Sequence, residues 1–279
     1  MQKNVQINEL TLSELRYIST EVRKDVIKML GKSKSGHPGG SLSVVDILVT
    51  LYYKIMKVDP KYPNWEDRDR LVLSKGHSCP ALYSILARKG YFNVDQLTTL
   101  RQLGSILQGH PDMKRTPGID ASVGSLGQGL SVAVGLALGA KLKNKDYRVY
   151  AIIGDGEMQE GQIWEALMAT IHYKLDNLTT ILDYNKLQID GTNNEVMSLG
   201  DVKSRIKAFG FDVYEINGHD FEEIYGALTT SLASQKPKFI IAHTIKGKGV
   251  SFMENKVEWH GKAPNDDQVI KALAELEGK

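Results

Sequence analysis

The run Arg148-Val149-Tyr150-Ala151-Ile152-Ile153 ends in Gly154-Asp155-Gly156, and a second run, Thr179-Thr180-Ile181-Leu182-Asp183-Tyr184, ends in Asn185. Both read as short buried strands with a hard oxygen ligand at the exit. In a parallel sheet the carboxyl ends of the strands form one ligand-binding edge, so Asp155 and the amide oxygen of Asn185 are expected to meet over one cation. The expected ion is Mg²⁺, or Ca²⁺ or Mn²⁺, together with a diphosphate. Gly156 permits a sharp turn and close approach of a phosphate, and the helix expected from Gln159 to Tyr173 favours negative charge at its start. A plainer reading is that Asp155 caps that helix and Asn185 opens a turn.

Outward from this pair the chain alternates helix and strand. Helices are expected over Thr11 to Gly31, Ser43 to Met56, Ala81 to Arg88, Asp95 to Leu103, from Leu126, and over Val202 to Phe209, Phe221 to Ala233 and Asp266 to Leu276. The remaining strands are Arg70 to Leu73, Phe211 to Ile216 and Lys238 to Thr244. Lys32 to Gly40 reads as a loop, and so does Gly104 to Gly124, whose length marks it as functional. The alternation predicts an α/β fold, a parallel sheet with helices on both faces.

Composition narrows the ligand. Across 279 residues, 35 Lys and Arg face 33 Asp and Glu, a formal charge of +2, which gives no basic surplus for nucleic acid. Cys79 is the single cysteine; it excludes an internal disulfide and is expected as a small buried side chain. Met1 to Glu9 lacks the apolar stretch of a signal peptide, and Leu130 to Ala140 is too short to span a bilayer, so the expectation is a cytoplasmic protein with no membrane contact.

Of seven histidines, five (His37, His77, His110, His219 and His260) adjoin glycine in expected loops. A neutral imidazole there is a natural proton shuttle, although a lone loop histidine is more often a turn residue. His219, in Asn217-Gly218-His219-Asp220, reads as a turn, and His172 and His243 as structural. Lys246 can reach a phosphate or lie solvated beside its turn. Glu160, at a helix start, is favoured by the dipole whatever its role.

Six blocks extend the pattern: Ser35-Gly36-His37-Pro38-Gly39, Leu73-Ser74-Lys75-Gly76-His77, Gln108-Gly109-His110-Pro111, Thr116-Pro117-Gly118, Gly124-Ser125-Leu126-Gly127-Gln128-Gly129 and Trp259-His260-Gly261-Lys262-Ala263-Pro264. With the Gly-Asp-Gly and Asn185 pair, the series resembles the N-terminal domain of transketolases, from about Leu12 to about Pro264. The resemblance implies the thiamine diphosphate-binding fold, with residues 1–279 as one diphosphate- and metal-binding domain, 1–40 its first helix and loop and 265–279 its last helix. It implies Asp155, Asn185 and the backbone carbonyl of Leu187 as metal ligands. Gly154, Gly156, Glu157 and Lys246 join the cofactor site, and backbone groups of Gly124, Ser125 and Leu126 contact the aminopyrimidine. His77 and His260 would lie near the diphosphate and the reacting centre, and His37 and His110 would face sugar hydroxyls. Glu160 would join a proton path between active sites. Glu157 and Gly39-Gly40-Ser41-Leu42 depart from the long single-chain enzymes and look like the shorter two-gene form.

The activity so implied is reversible transfer of a two-carbon ketol unit from a ketose phosphate to an aldose phosphate. The glutamate that activates the pyrimidine lies in a second domain of such enzymes. A separate C-terminal subunit is therefore expected to supply it, in an α2β2 heterotetramer. Competing readings are a 2-oxo acid dehydrogenase subunit, a deoxyxylulose phosphate synthase or a non-catalytic regulatory subunit.

Overall fold

The computed structural model describes residues 10–230 and 236–278. Among the described residues seven strands form, β1 (Arg70–Leu73), β2 (Val149–Gly154), β3 (Leu178–Tyr184), β4 (Leu187–Gln188), β5 (Gly191–Thr192), β6 (Asp212–Asn217) and β7 (Lys238–His243). The helices are α1 (Leu12–Ser33), α2 (Pro38–Ser43), α3 (Val45–Thr50), α4 (Cys79–Lys89), α5 (Gln128–Leu142), α6 (Gly161–His172), α7 (Asn193–Val196), α8 (Val202–Phe209), α9 (Phe221–Thr229) and α10 (Asp266–Leu276). Five strands make one parallel sheet in the order β1-β2-β3-β7-β6, while β4 and β5 form a small hairpin.

Because successive side chains point to opposite faces, each strand feeds two apolar layers. Leu73, Ile152, Ile181 and Ala242 join the layer built with α1, α3, α4 and α9. Val72, Ile153, Leu182 and Ile241 join the layer built with α5, α6 and α8. Full burial of each large aliphatic side chain stabilises the fold by about 1.5–3 kcal/mol, so the two layers hold the sheet while its carboxyl edge stays free for polar residues. The register sets Leu73 beside Ile152, Gly154 beside Asp183 and Asp183 beside Ala242. Four strand ends therefore open at one level.

Most expected elements form where the sequence places them, and the differences have local causes. At α1, Thr11 and Glu14 form a reciprocal cap, but the helix continues past Gly31 to Ser33. Gly31 is a packing site rather than a stop: a Cβ there would lie 2.4 Å from Val269 Cγ2 of α10. The single helix expected from Ser43 begins instead at Pro38, which needs no N–H donor in a first turn, then breaks at Val44 and ends in a π-helical turn, Leu51–Ile55. A 3₁₀ segment, Val94–Thr99, replaces the helix expected from Asp95. The expected end of α9 near Ala233 falls outside the described residues; within them α9 stops at Thr229. Residues 104–124 carry no helix or strand, as expected. Cys79 is buried, its thiol donating to the Gly109 carbonyl at 3.3 Å, and burial pushes its pKa up to about 12. No helix among the described residues is long and apolar enough to cross a membrane.

Candidate active site

At the carboxyl edge of the sheet, the exits of β1, β2, β3 and β7 deliver Lys75 and His77, Asp155, Asn185 and Lys246 to one cavity of about 370 Å³. The first turn of α2 adds His37, the long loop adds His110 and Gly124, and the segment before α10 adds His260. Every candidate site residue from the sequence lines this cavity except Ser125, which is exposed beside it. Glu160 also lines it, but from an exposed position at the start of α6.

The Asp155 carboxylate accepts from Gly156 N at 2.9 Å and from Lys186 N. Asn185 Oδ1 accepts from Leu187 N at 3.2 Å, so the turn reading of this residue is also realised. The Leu187 carbonyl accepts from Lys246 Nζ at 3.1 Å. Burial, then the nearby Asp183 carboxylate, raises the pKa of Asp155; Lys246 and the Lys186 N–H pull it back only in part. An acid held at such a cost in desolvation suits a cation. Among the described residues no three His, Cys, Asp or Glu side chains cluster as a metal centre. A cation here would rest on one carboxylate, one amide and one carbonyl, with other oxygens from its ligand, as a hard ion such as Mg²⁺ accepts.

Two buried lysines adjoin this set. Lys75 donates to the Gly40 carbonyl at 3.1 Å and pairs with Asp183, a carboxylate that also accepts from Ser43 Oγ at 2.6 Å and from Thr244 Oγ1. Burial works against the charge on Asp183, yet Lys75 and the hydroxyls outweigh it and keep the carboxyl below its usual range. Lys246 Nζ reaches the Leu187 carbonyl and, at 3.1 Å, His260 Nδ1. Burial and then Lys75 push its pKa down to about 8. Gly39 makes room for it, since a Cβ there would meet Lys246 Cγ at 2.8 Å and the Trp259 carbonyl at 2.9 Å.

Three imidazoles pack together, with ring centroids 5.1 Å apart for His37–His77, 5.3 Å for His77–His260 and 5.6 Å for His37–His260. Burial first, then neighbouring cations, lowers all of them: His37 to about 4, His260 to about 3 and His77 well below its ordinary value. His110 is lowered by burial and then Arg101. His37 Nδ1 is buried with no hydrogen-bond partner. Neutral imidazoles beside buried ammonium groups, with a ring nitrogen unspent, offer hydrogen-bonding groups and positive charge to an anion, which a cation on Asp155 would complement. A diphosphate fits this cavity.

Glu157 lines the cavity, but its carboxylate is turned inward. It accepts from Ser74 Oγ, from Gly127 N at 2.9 Å and from Gly154 N at 3.0 Å. It thus ties the exits of β1 and β2 to the turn before α5, with both carboxylate oxygens engaged by protein donors. Lys75, Asp183, Gln159 and Gln188 escaped the sequence reading as site residues. A carboxylate inside the apolar run of β3 was the available signal for Asp183, because a buried charge needs a partner.

Residues 15–277 match the family described as "Transketolase, thiamine diphosphate binding domain". The 6-deoxy-6-sulfo-D-fructose transketolase subunit of Clostridium sp. (strain MSTE9) is 47% identical over 265 residues, 95% of this chain and 96% of that protein. An apulose-4-phosphate transketolase subunit of Phocaeicola vulgatus is 45% identical over 268 residues, 96% and 95% of the two chains. The crystal structure of transketolase from Campylobacter jejuni subsp. jejuni superposes with a TM-score of 0.91 at 38% identity, covering 96% of this chain but 43% of that one. The chain thus spans nearly the whole of the two subunits and less than half of the solved transketolase. On the sequence match, the shared fold and the site they meet in, the chain belongs to the transketolase family, as a subunit built on its thiamine diphosphate binding domain.

Proposed function

We propose that this chain is the diphosphate- and metal-binding half of a two-chain transketolase, working as a single domain in the cytoplasm. The carrying observation is the convergence of Asp155, Asn185, the Leu187 carbonyl, two buried lysines and three packed neutral histidines at one sheet edge. Asp155, Asn185 and Leu187 would hold the cation, with Lys75 and Lys246 balancing the diphosphate charge. Thiamine diphosphate, when bound, supplies the nucleophilic carbon that carries a two-carbon ketol unit from one sugar to another. His37, His77, His110 and His260 are poised as neutral groups that accept and return protons at the sugar hydroxyls and at the reacting centre. Glu160, exposed at the rim, is available to a neighbouring subunit for proton transfer.

Relatives named as subunits support a partner chain that carries the pyrimidine-activating glutamate, in an α2β2 assembly. Their names also support a substrate with an anionic end, a sugar phosphate or a sugar sulfonate. The test is to purify the tagged chain gently with Mg²⁺ and thiamine diphosphate, identify what co-elutes, and assay two-carbon transfer. Activity should appear only in the complex, and Asp155→Ala should reduce it by ~100-fold or more, as loss of a direct ligand exceeds the usual outer-shell effect. Full transfer by the chain alone, or an unaffected Asp155→Ala complex, would refute the proposal.

A further inference from the structure

Behind the cavity, outside its lining, lies a buried ionic network. Arg23 of α1 clasps Asp46 of α3 through two bonds, Nη1–Oδ1 at 2.9 Å and Nη2–Oδ2 at 2.6 Å. His219, in the turn between β6 and α9, places Nδ1 2.8 Å from Asp46 Oδ2. Its other nitrogen, Nε2, accepts from Ile245 N at 2.8 Å, and Arg23 Nε donates to the Lys248 carbonyl at 3.1 Å. The network grips the loop after β7 at the residue before Lys246 and at the second residue after it.

Hydrogen-bond logic fixes the histidine tautomer. A backbone N–H can only donate, so Nε2 must be the acceptor and Nδ1 must carry the proton to Asp46. Burying a guanidinium and a carboxylate carries a desolvation cost, and a hydrophobic substitute would often pack as well. What the ions supply here is direction: a charged anchor with one orientation, transmitted through one imidazole to one backbone N–H. Lys246, whose ammonium must sit between the Leu187 carbonyl and His260, is the side chain that benefits.

We propose that His219, oriented by Asp46 and Arg23, is a positioning residue that fixes Lys246 at the diphosphate end of the cavity. The inference rests on the thiamine diphosphate reading. Its test is a double-mutant cycle for thiamine diphosphate binding, with Mg²⁺, to the apo complex of the chain and its partner, alongside melting temperatures. One hydrogen bond to a positioning group predicts that His219→Ala weakens binding by about tenfold. Lys246→Met should weaken it at least as much, and the double variant should bind no worse than Lys246→Met alone, because the effect of His219 runs through the lysine. If His219→Ala does not assemble, the same cycle on His219→Gln, which keeps an acceptor, should give a smaller loss that likewise vanishes in the Lys246→Met background.

Losses that add in full would overturn the inference and make His219 a structural residue only. An unchanged affinity in Lys246→Met would instead overturn the assignment of that lysine to the diphosphate, and a wild-type complex that binds no thiamine diphosphate would overturn the functional reading beneath both.

Discussion

Each functional group at this site is defined by what its neighbours leave unsatisfied. Glu157 is fully spent on protein donors, whereas His37 Nδ1 has no partner. Glu157→Gln would set an amide N–H₂ against donors already in place and strand at least one, at about 1–3 kcal/mol, lowering the melting temperature by about 2–10 °C. That fall should be similar with and without cofactor, as differential scanning calorimetry would show; a fall confined to the cofactor-bound form would mean that the carboxylate contacts the cofactor after all. The histidines carry a pH prediction. His37 and His260 have folded pKa values of about 4 and about 3, against an ordinary 6.5, so below pH 6.5 the unfolded chain binds more protons than the folded one. The stability these residues contribute is present above that pH and is lost as pH falls towards about 4. A bound diphosphate adds negative charge, raises both pKa values and shrinks the loss. Melting curves from pH 7 to pH 4 should therefore fall less steeply with pyrophosphate and Mg²⁺ than without, and identical curves would count against an anion beside these rings.

At the scale of elements, small residues decide how helices meet. Gly31→Ala adds a methyl group that would lie 2.4 Å from Val269 Cγ2, where α1 crosses α10. The helix gains propensity, by up to about 1 kcal/mol, but overpacking costs roughly 1–3 kcal/mol. A lower melting temperature with unchanged cofactor affinity is the expected result, and calorimetry with a binding titration checks both parts. The same glycine explains where sequence reading fell short, because a glycine at the end of an apolar period looks like a stop unless α10 is known to lie against it. Strands were legible since apolar runs of four to seven residues have few other uses in an alternating chain; β1 has the bounds the pattern suggested, and β3 starts one residue before the quoted run. The π-helical turn after α3 and the two-residue strands of the β4–β5 hairpin were not, because elements so short carry no periodicity to read. Asp155 and Asn185 were legible because polar residues directly after apolar strand runs have nowhere to go but the edge, and the histidines because they adjoin glycine in loops. Lys75 and Asp183 were hidden by being each other's partner, a pairing across 108 positions that no local pattern contains.

For the molecule as a whole, the site's contents are unevenly distributed about the cavity. Lysines, Asp155, Asn185 and the imidazoles lie at the sheet edge, and on the proposed function they serve the diphosphate, the cation and the sugar. The mouth is lined by Leu126, Ile189 and Glu160, all exposed, and Ser125 is exposed beside it. Exposed apolar side chains of this kind at a cofactor site suit a protein partner better than water. The solved transketolase, of which this chain spans 43%, has the remaining length from which such a cover can be built. If the glutamate and most pyrimidine contacts come from a second chain, the isolated chain, with only backbone groups of Gly124 to Leu126 toward that ring, should distinguish the cofactor from inorganic pyrophosphate only weakly. In the complex the aminopyrimidine adds its own stacking and hydrogen-bond contacts, together worth about 2–3 kcal/mol, or roughly 30- to 150-fold in affinity. Competition titrations with Mg²⁺ should thus give a thiamine diphosphate to pyrophosphate affinity ratio near unity for the chain alone and a ratio of about 30 or more for the complex. A large ratio in the isolated chain would place the pyrimidine site within these residues and remove the need for a second subunit to complete it.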